Sequence, residues 1–152
     1  MYYIFLENKS RAYFLRIYNN KNIMHKESKF IYNIILPPMI VYGIHLSLIP
    51  VYYVFPNLDI ITHTLGGGAI AWGWITIANR YNAKSPKLIS FITAVGVVAL
   101  VATFWEFYEF ILDSYIGSHI NQPTVQDTMG DYLFGLIGAL IISLLRIKKS
   151  AR

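Results

Sequence analysis

The sequence predicts an all-α polytopic membrane protein: four transmembrane helices in a bundle, with both termini in the cytoplasm. Three observations predict it. The chain is 55% hydrophobic and only 14% charged, whereas a soluble domain is nearer a quarter charged. Four apolar runs approach or exceed the ~20 residues that a bilayer requires. The basic residues are also segregated: six lie in residues 1–29, three from Arg80 to Lys87 and four from Arg146 onward, which accounts for all 13. The two other connections carry none, so four spans with cytoplasmic ends satisfy the positive-inside rule throughout. The net charge of +5 is therefore a topology signal; its residues flank apolar runs and form no stripe of the kind that binds nucleic acid. The absence of cysteine excludes disulfides, thiolate metal sites and a cysteine nucleophile, and leaves the compartment open.

Residues 1–29 form a basic arm whose apolar stretches are broken by charge too often to span. No basic start, apolar core and small-residue cleavage site mark a signal peptide. Tyr13, Phe14, Ile17 and Tyr18 could line one face of an interfacial helix, with Arg11 and Arg16 towards lipid headgroups; a short disordered or partner-binding arm is the alternative. The transmembrane domain then occupies residues 30–152. Its first span, 30–55, contains one ionisable group, His45, read as a core or interface histidine, and Pro37, Pro38 and Pro50 are expected to kink it or roughen its ends. After a tight Pro56-Asn57-Leu58-Asp59 link comes the second span, 60–78. Asp59 and His63 share a face there, ahead of Gly66-Gly67-Gly68, which allow a helix or a lipid head to approach the backbone. The third span, 88–112, follows the basic loop. A polar link through His119, Asn121 and Pro123 leads to Thr124, the expected cap of the last helix, with Asp127 three residues on. Asp127, Asp131, Gly135 and Gly138 form one stripe leading into the fourth span, 129–147.

The chemistry concentrates in Val101–Asp113. Glu106 and Glu109 lie about 60° apart around a helix and Asp113 returns within about 20° of Glu106, so all three point one way. The topology puts Asp59, His63, Glu106, Glu109, Asp113, Asp127 and Asp131 on the outer side. Glu109 and His63 lie roughly 6 Å below their span ends and Glu106 roughly 10 Å. The plain alternative is a set of helix-end acids reaching outer water, with Asp59 and Asp127 as caps. That account is weakest for Glu106, which is deep, and no Lys or Arg lies on that side. Such acids must be protonated, hydrated or neutralised by a cation. Carboxylates and an imidazole converging from facing helices are how bundles build metal sites. The candidate ligands are His63, Glu106, Glu109, Asp127, Asp131 and Asp59, with Glu106 and His63 as the candidate catalytic pair. A divalent ion is the implied cofactor, and the donor set leaves Mn, Mg, Ca, Fe and Zn open. Without a metal, Glu106 would serve as proton carrier or general acid. Ser114 and Ser118 near His119 lack the strained turn of a serine nucleophile.

Asp59-x-x-x-His63-x-x-Gly66-Gly67, Trp105-Glu106-x-x-Glu109 and Gln126-Asp127-Thr128-x-x-Asp131-x-x-x-Gly135-x-x-Gly138-Ala139 together resemble the YjdF-type family of small prokaryotic membrane proteins, and more distantly the VanZ-like proteins. The resemblance implies a multi-pass protein of the prokaryotic cytoplasmic membrane; its VanZ side points to the cell envelope. Two functions follow as expectations. One is divalent-cation-dependent action on a lipid-linked or envelope substrate, with the bilayer and a lipid phosphate as partners. The other is an accessory subunit whose acids pair with a partner membrane protein. Ion or proton transport ranks last, because the inner halves of the spans offer almost no polar route.

Overall fold

The computed structural model describes residues 2–52, 54–55, 57–81, 86–116 and 124–149, with side chains from residue 23 to residue 146 within those ranges. The arm's Arg11, Tyr13, Phe14, Arg16, Ile17 and Tyr18 side chains, Pro56, the 82–85 loop, the link through His119, Asn121 and Pro123, and the cations beyond Arg146 fall outside the described residues. Among the described residues the fold is all helix: α1 (Tyr2–Tyr52), α2 (Asn57–Tyr81), α3 (Lys87–Ile116) and α4 (Val125–Lys149). The chain divides into two compact units, residues 1–33 and 34–152. The first is helical over its described length. The second holds the end of α1, the other three helices and every contact described below.

Three stretches are long and apolar enough to cross a membrane: Ile23–Tyr52, Lys87–Tyr115 and Val125–Arg146. The exposure pattern fits such an environment. Buried hydrophobic side chains are limited to Ala71, Ile75, Ala94, Val98 and Ala139, whereas Phe104, Phe107 and Phe110 on α3 are each about 60% exposed. A soluble protein would bury such phenylalanines; a bilayer solvates them. The first of the three stretches, Ile23–Tyr52, overlaps the 30–55 run read from the sequence.

Helix α2 is long enough, at 25 residues or about 38 Å, yet it holds no continuous stretch as apolar as those of the other three. Its composition reflects where it packs. Thr62, Gly67, Gly68, Ala71, Gly73 and Ile75 are buried along it, facing protein, so they need not be greasy. On α4 the opposing stripe is Asp131, Gly135, Gly138 and Ala139. The two backbones touch: a methyl at Gly67 would overlap the Gly135 carbonyl, and one at Gly138 would overlap the Thr64 carbonyl. Membrane helices gain contact in this way, since lipid is as apolar as leucine and only close packing favours association. Of the two visitors that the glycines could admit, the one found is a helix.

Proline does not break α1, which runs through Pro37, Pro38 and Pro50. Pro38 has no N–H for the Ile34 carbonyl four residues back. Gly73 of α2 packs against this turn: a Cβ built there would lie 3.2 Å from the Ile34 carbonyl oxygen. Close packing by a neighbouring helix is one of the ways membrane helices keep prolines. Elsewhere Trp74 Nε1 donates to Thr93 Oγ1 at 3.0 Å, linking α2 to α3, and Tyr132 Oη donates to the Ala99 carbonyl at 3.2 Å, linking α4 to α3. At one end of the bundle Arg146 donates to Thr76 Oγ1 at 3.0 Å and stacks 3.9 Å over the Trp72 ring.

Candidate metal centre

The opposite end holds the last turns of α1 and α3 and the first turns of α2 and α4, and the acids gather there. Helix starts fix two of them. Thr124 Oγ1 accepts the Asp127 N–H at 3.1 Å, capping α4 as the sequence predicts. Asp59 sits in the first turn of α2, where a carboxylate meets the positive end of the helix dipole. Counting inward, His45 is seven residues from the end of α1, His63 six from the start of α2, Glu109 seven from the end of α3 and Asp131 six from the start of α4. Each is therefore about 9–10.5 Å from its helix end. Four helices deliver one group each to a single layer, deeper than the roughly 6 Å read from the sequence for Glu109 and His63.

Contacts within this layer are close. His63 Nε2 lies 3.3 Å from Asp59 Oδ1 and 3.8 Å from Asp131 Oδ1. His45 Nε2 is 3.8 Å from Glu109 Oε1, and its Nδ1 is 3.9 Å from Asp59 Oδ1. The two rings meet edge to face at 5.9 Å, and Trp105 stands edge-on to His45 at 5.3 Å. Glu109 is 3% and Asp131 4% exposed. Their Oε2 and Oδ2 atoms are buried with no hydrogen-bond partner among the described residues. Leaving such oxygens unmet costs about 1–3 kcal/mol each, and more when charged.

Three groupings bring donor atoms within 4.8 Å of one another: His45, Asp59 and His63; His63, Glu109 and Asp131; and Asp59, Asp127 and Asp131. Five of the six residues predicted from sequence, Asp59, His63, Glu109, Asp127 and Asp131, are thus brought together. Glu106, the sixth, lies outside these groupings; it sits one turn deeper on α3 and lines a cavity beside the cluster. Asp113, buried at 4%, continues the Glu109 face towards the helix end.

His45 was not among the predicted ligands. It is 8% exposed and held by a hydrogen-bonded chain: His45 Nδ1 to Tyr52 Oη at 3.1 Å, Tyr52 Oη to Thr62 Oγ1 at 3.1 Å, and Thr62 Oγ1 to the Asp59 carbonyl at 2.8 Å. Each hydroxyl has one proton to give. All three bonds are made at once only if His45 Nδ1–H donates to Tyr52, Tyr52 to Thr62, and Thr62 to the carbonyl. A neutral His45 then presents the lone pair of Nε2 towards Glu109. Fixing one ring nitrogen as donor so that the other can ligate is how outer-shell partners orient metal-binding histidines.

An apolar cavity of about 490 Å³ adjoins the cluster. Ile34, Pro38, Met39, Ile70 and Val98 line its far part, and His45, His63, Glu106 and Asp131 its polar end.

No curated protein and no solved structure matches the chain. A family model does, over residues 14–151, under the description "Predicted membrane protein (DUF2238)"; this is the family to which the YjdF-type resemblance points. With all but the first 13 residues and the last one matched, the chain belongs to the DUF2238 family of predicted membrane proteins.

Proposed function

We propose that this protein is a four-span membrane protein with both termini cytoplasmic, that its acid and imidazole cluster lies in the outer leaflet, and that the cluster holds a divalent cation used on a lipid-linked or envelope substrate. One observation carries the reading. Glu109 Oε2 and Asp131 Oδ2 are buried acceptors without partners, beside two imidazole nitrogens that face carboxylates at 3.3–3.8 Å. A carboxylate oxygen facing an imidazole lone pair or another carboxylate is repulsive unless a proton or a cation stands between. No Lys or Arg occurs from residue 30 to residue 79 or from residue 88 to residue 145, so histidine is the only basic side chain in those stretches, and a cation shared by the donors would satisfy them together. Donor atoms about 2.0–2.2 Å from a common ion lie roughly 3–4 Å apart; His63 Nε2 and Asp131 Oδ1 are 3.8 Å apart, and the His63, Glu109 and Asp131 donors lie within 4.8 Å of one another.

His63, Glu109 and Asp131 are the proposed first ligands, with Asp59 or Asp127 able to complete the set and His45 beside them. The ion would draw electron density from a phosphate oxygen placed against it. His45 and Glu106, at the cavity edge, are placed to hold or move a proton; they are the candidate acid–base groups alongside His63. The VanZ-like kinship and the envelope setting belong to this proposal, as does the interfacial arm. Metal content by plasma mass spectrometry on purified protein tests it. Near-stoichiometric divalent metal, absent from Asp131→Asn and Glu109→Gln, is expected. Metal-free, well-folded wild type would overturn it and put the accessory-subunit reading first.

A further inference from the structure

We propose that the apolar cavity between α1 and α3 receives the hydrocarbon chain of a phosphate-headed lipid, which enters sideways from the bilayer and places its head against the acid and imidazole cluster. This inference rests on the cation reading above and names the substrate class for that site.

The shape of the cavity is the first argument. Its lining runs along α1 from Ile34 to His45, eleven residues or about 16 Å, close to the ~15 Å of one leaflet. At one end the walls are Ile34, Pro38, Ile70 and Val98; at the other they are His45, His63, Glu106 and Asp131. A volume of about 490 Å³ falls in the range of pockets that hold small amphiphiles. The cavity is thus apolar in its body and polar at its head, the polarity of a lipid.

Access is the second argument. Ile35, Met39, Tyr42 and Val101 line the cavity and yet remain 37–58% exposed. Residues that face both a cavity and the outside mark its mouth. The mouth lies between α1 and α3, on a flank where lipid and not water would stand.

The head group follows from charge. Asp131 lines the polar end, is 4% exposed and has an unpartnered oxygen aimed among acids. An anionic head cannot approach carboxylates unaided, but a cation held by them converts the same place into a phosphate receptor. Zwitterionic lipids present the same phosphate, so this oxygen chemistry is what the site reads.

The test adds a long-chain alkyl phosphate to detergent-purified protein with and without Mn²⁺, measuring binding by calorimetry and Mn²⁺ retention separately. Gly66→Leu is the informative variant. Gly66 lines the cavity, and a Cβ there would meet only Val41 Cγ1, at 3.8 Å, so a leucine side chain starts without a clash and extends into the space. Ala102→Phe fills it from α3, and thermal unfolding checks that both variants fold. Expected is alkyl phosphate binding that requires Mn²⁺ and weakens about tenfold or more in both variants, while Mn²⁺ is retained. Unchanged alkyl phosphate affinity in both folded variants overturns the cavity proposal and leaves the cation reading standing. An alkyltrimethylammonium of equal chain length that binds as tightly without Mn²⁺ overturns the phosphate assignment. Wild type that binds no Mn²⁺ fails the cation reading itself.

Discussion

The α2–α4 seam and the α1–α3 flank are built from opposite materials. The seam is glycine against glycine: Gly67 meets the Gly135 backbone and Gly138 the Thr64 backbone, with no room for a methyl. The flank carries larger side chains and encloses a cavity of about 490 Å³. Both converge on the same polar layer. The seam delivers His63 and Asp131, one turn beyond its closest contacts, from two helices that cannot shift without backbone collision. The flank delivers His45 and Glu109 beside a space that can be occupied. A rigid pair of ligands on one side and an accessible volume on the other is what a site needs if it is to hold an ion firmly and still admit a partner for it. The glycines therefore act on the chemistry as much as on the fold.

Breaking the seam should have the largest effect. Gly67→Ala and Gly138→Ala each force backbone apart, and unfolding in mixed micelles should show a loss of about 3 kcal/mol or more, at the upper end of overpacking costs. Gly96→Ala is the control, since nothing lies within 4 Å of the added carbon; it should gain up to about 1 kcal/mol from helix propensity. Equal effects at the three positions would erase the distinction between seam and flank.

The next effect is at the layer where seam and flank meet. Asp131→Asn and Glu109→Gln should each abolish metal retention with helicity intact, exceeding the ~10–100-fold that outer-shell changes cost. Tyr52→Phe keeps the ring and removes the hydroxyl that links His45 to Thr62. Equilibrium dialysis should show about tenfold weaker metal binding with little change in unfolding. No change would mean that the chain of hydrogen bonds does not orient His45 for an ion.

At the far end, Arg146→Lys removes the fork that reaches both Thr76 and the Trp72 face. A stability loss of about 0.5–1 kcal/mol and unchanged metal content are expected, since this contact fastens α4 to α2 at the end away from the ligands. Thr124→Ala, which removes the α4 cap, should cost about 1 kcal/mol and leave the ligands in place.

Much of this arrangement was legible in the residues. Charge segregation and apolar runs predict helices in a membrane, and the Asp59–His63 and Asp127–Asp131 spacings predict shared faces, because both follow from local periodicity. Thr124 as the cap is equally local. Three things were not legible. How the chain accommodates its prolines was one: α1 stays helical through Pro37, Pro38 and Pro50. His45 looked like a lone core histidine because its neighbours, Tyr52, Asp59 and Glu109, come from three helices. Glu106 drew attention by its depth; that it lines the cavity beside the cluster, whereas Glu109 joins a donor grouping with His63 and Asp131, depends on how the helices are rotated against one another.

The central claim is that four helices bring donors to one layer to hold a divalent ion. It is tested most directly by counting divalent metal per chain in purified wild type, Asp131→Asn and Gly66→Leu side by side. About one ion per chain in wild type and Gly66→Leu, and none in Asp131→Asn, is the predicted result. A folded wild type without metal, or an Asp131→Asn variant that keeps it, would contradict the account.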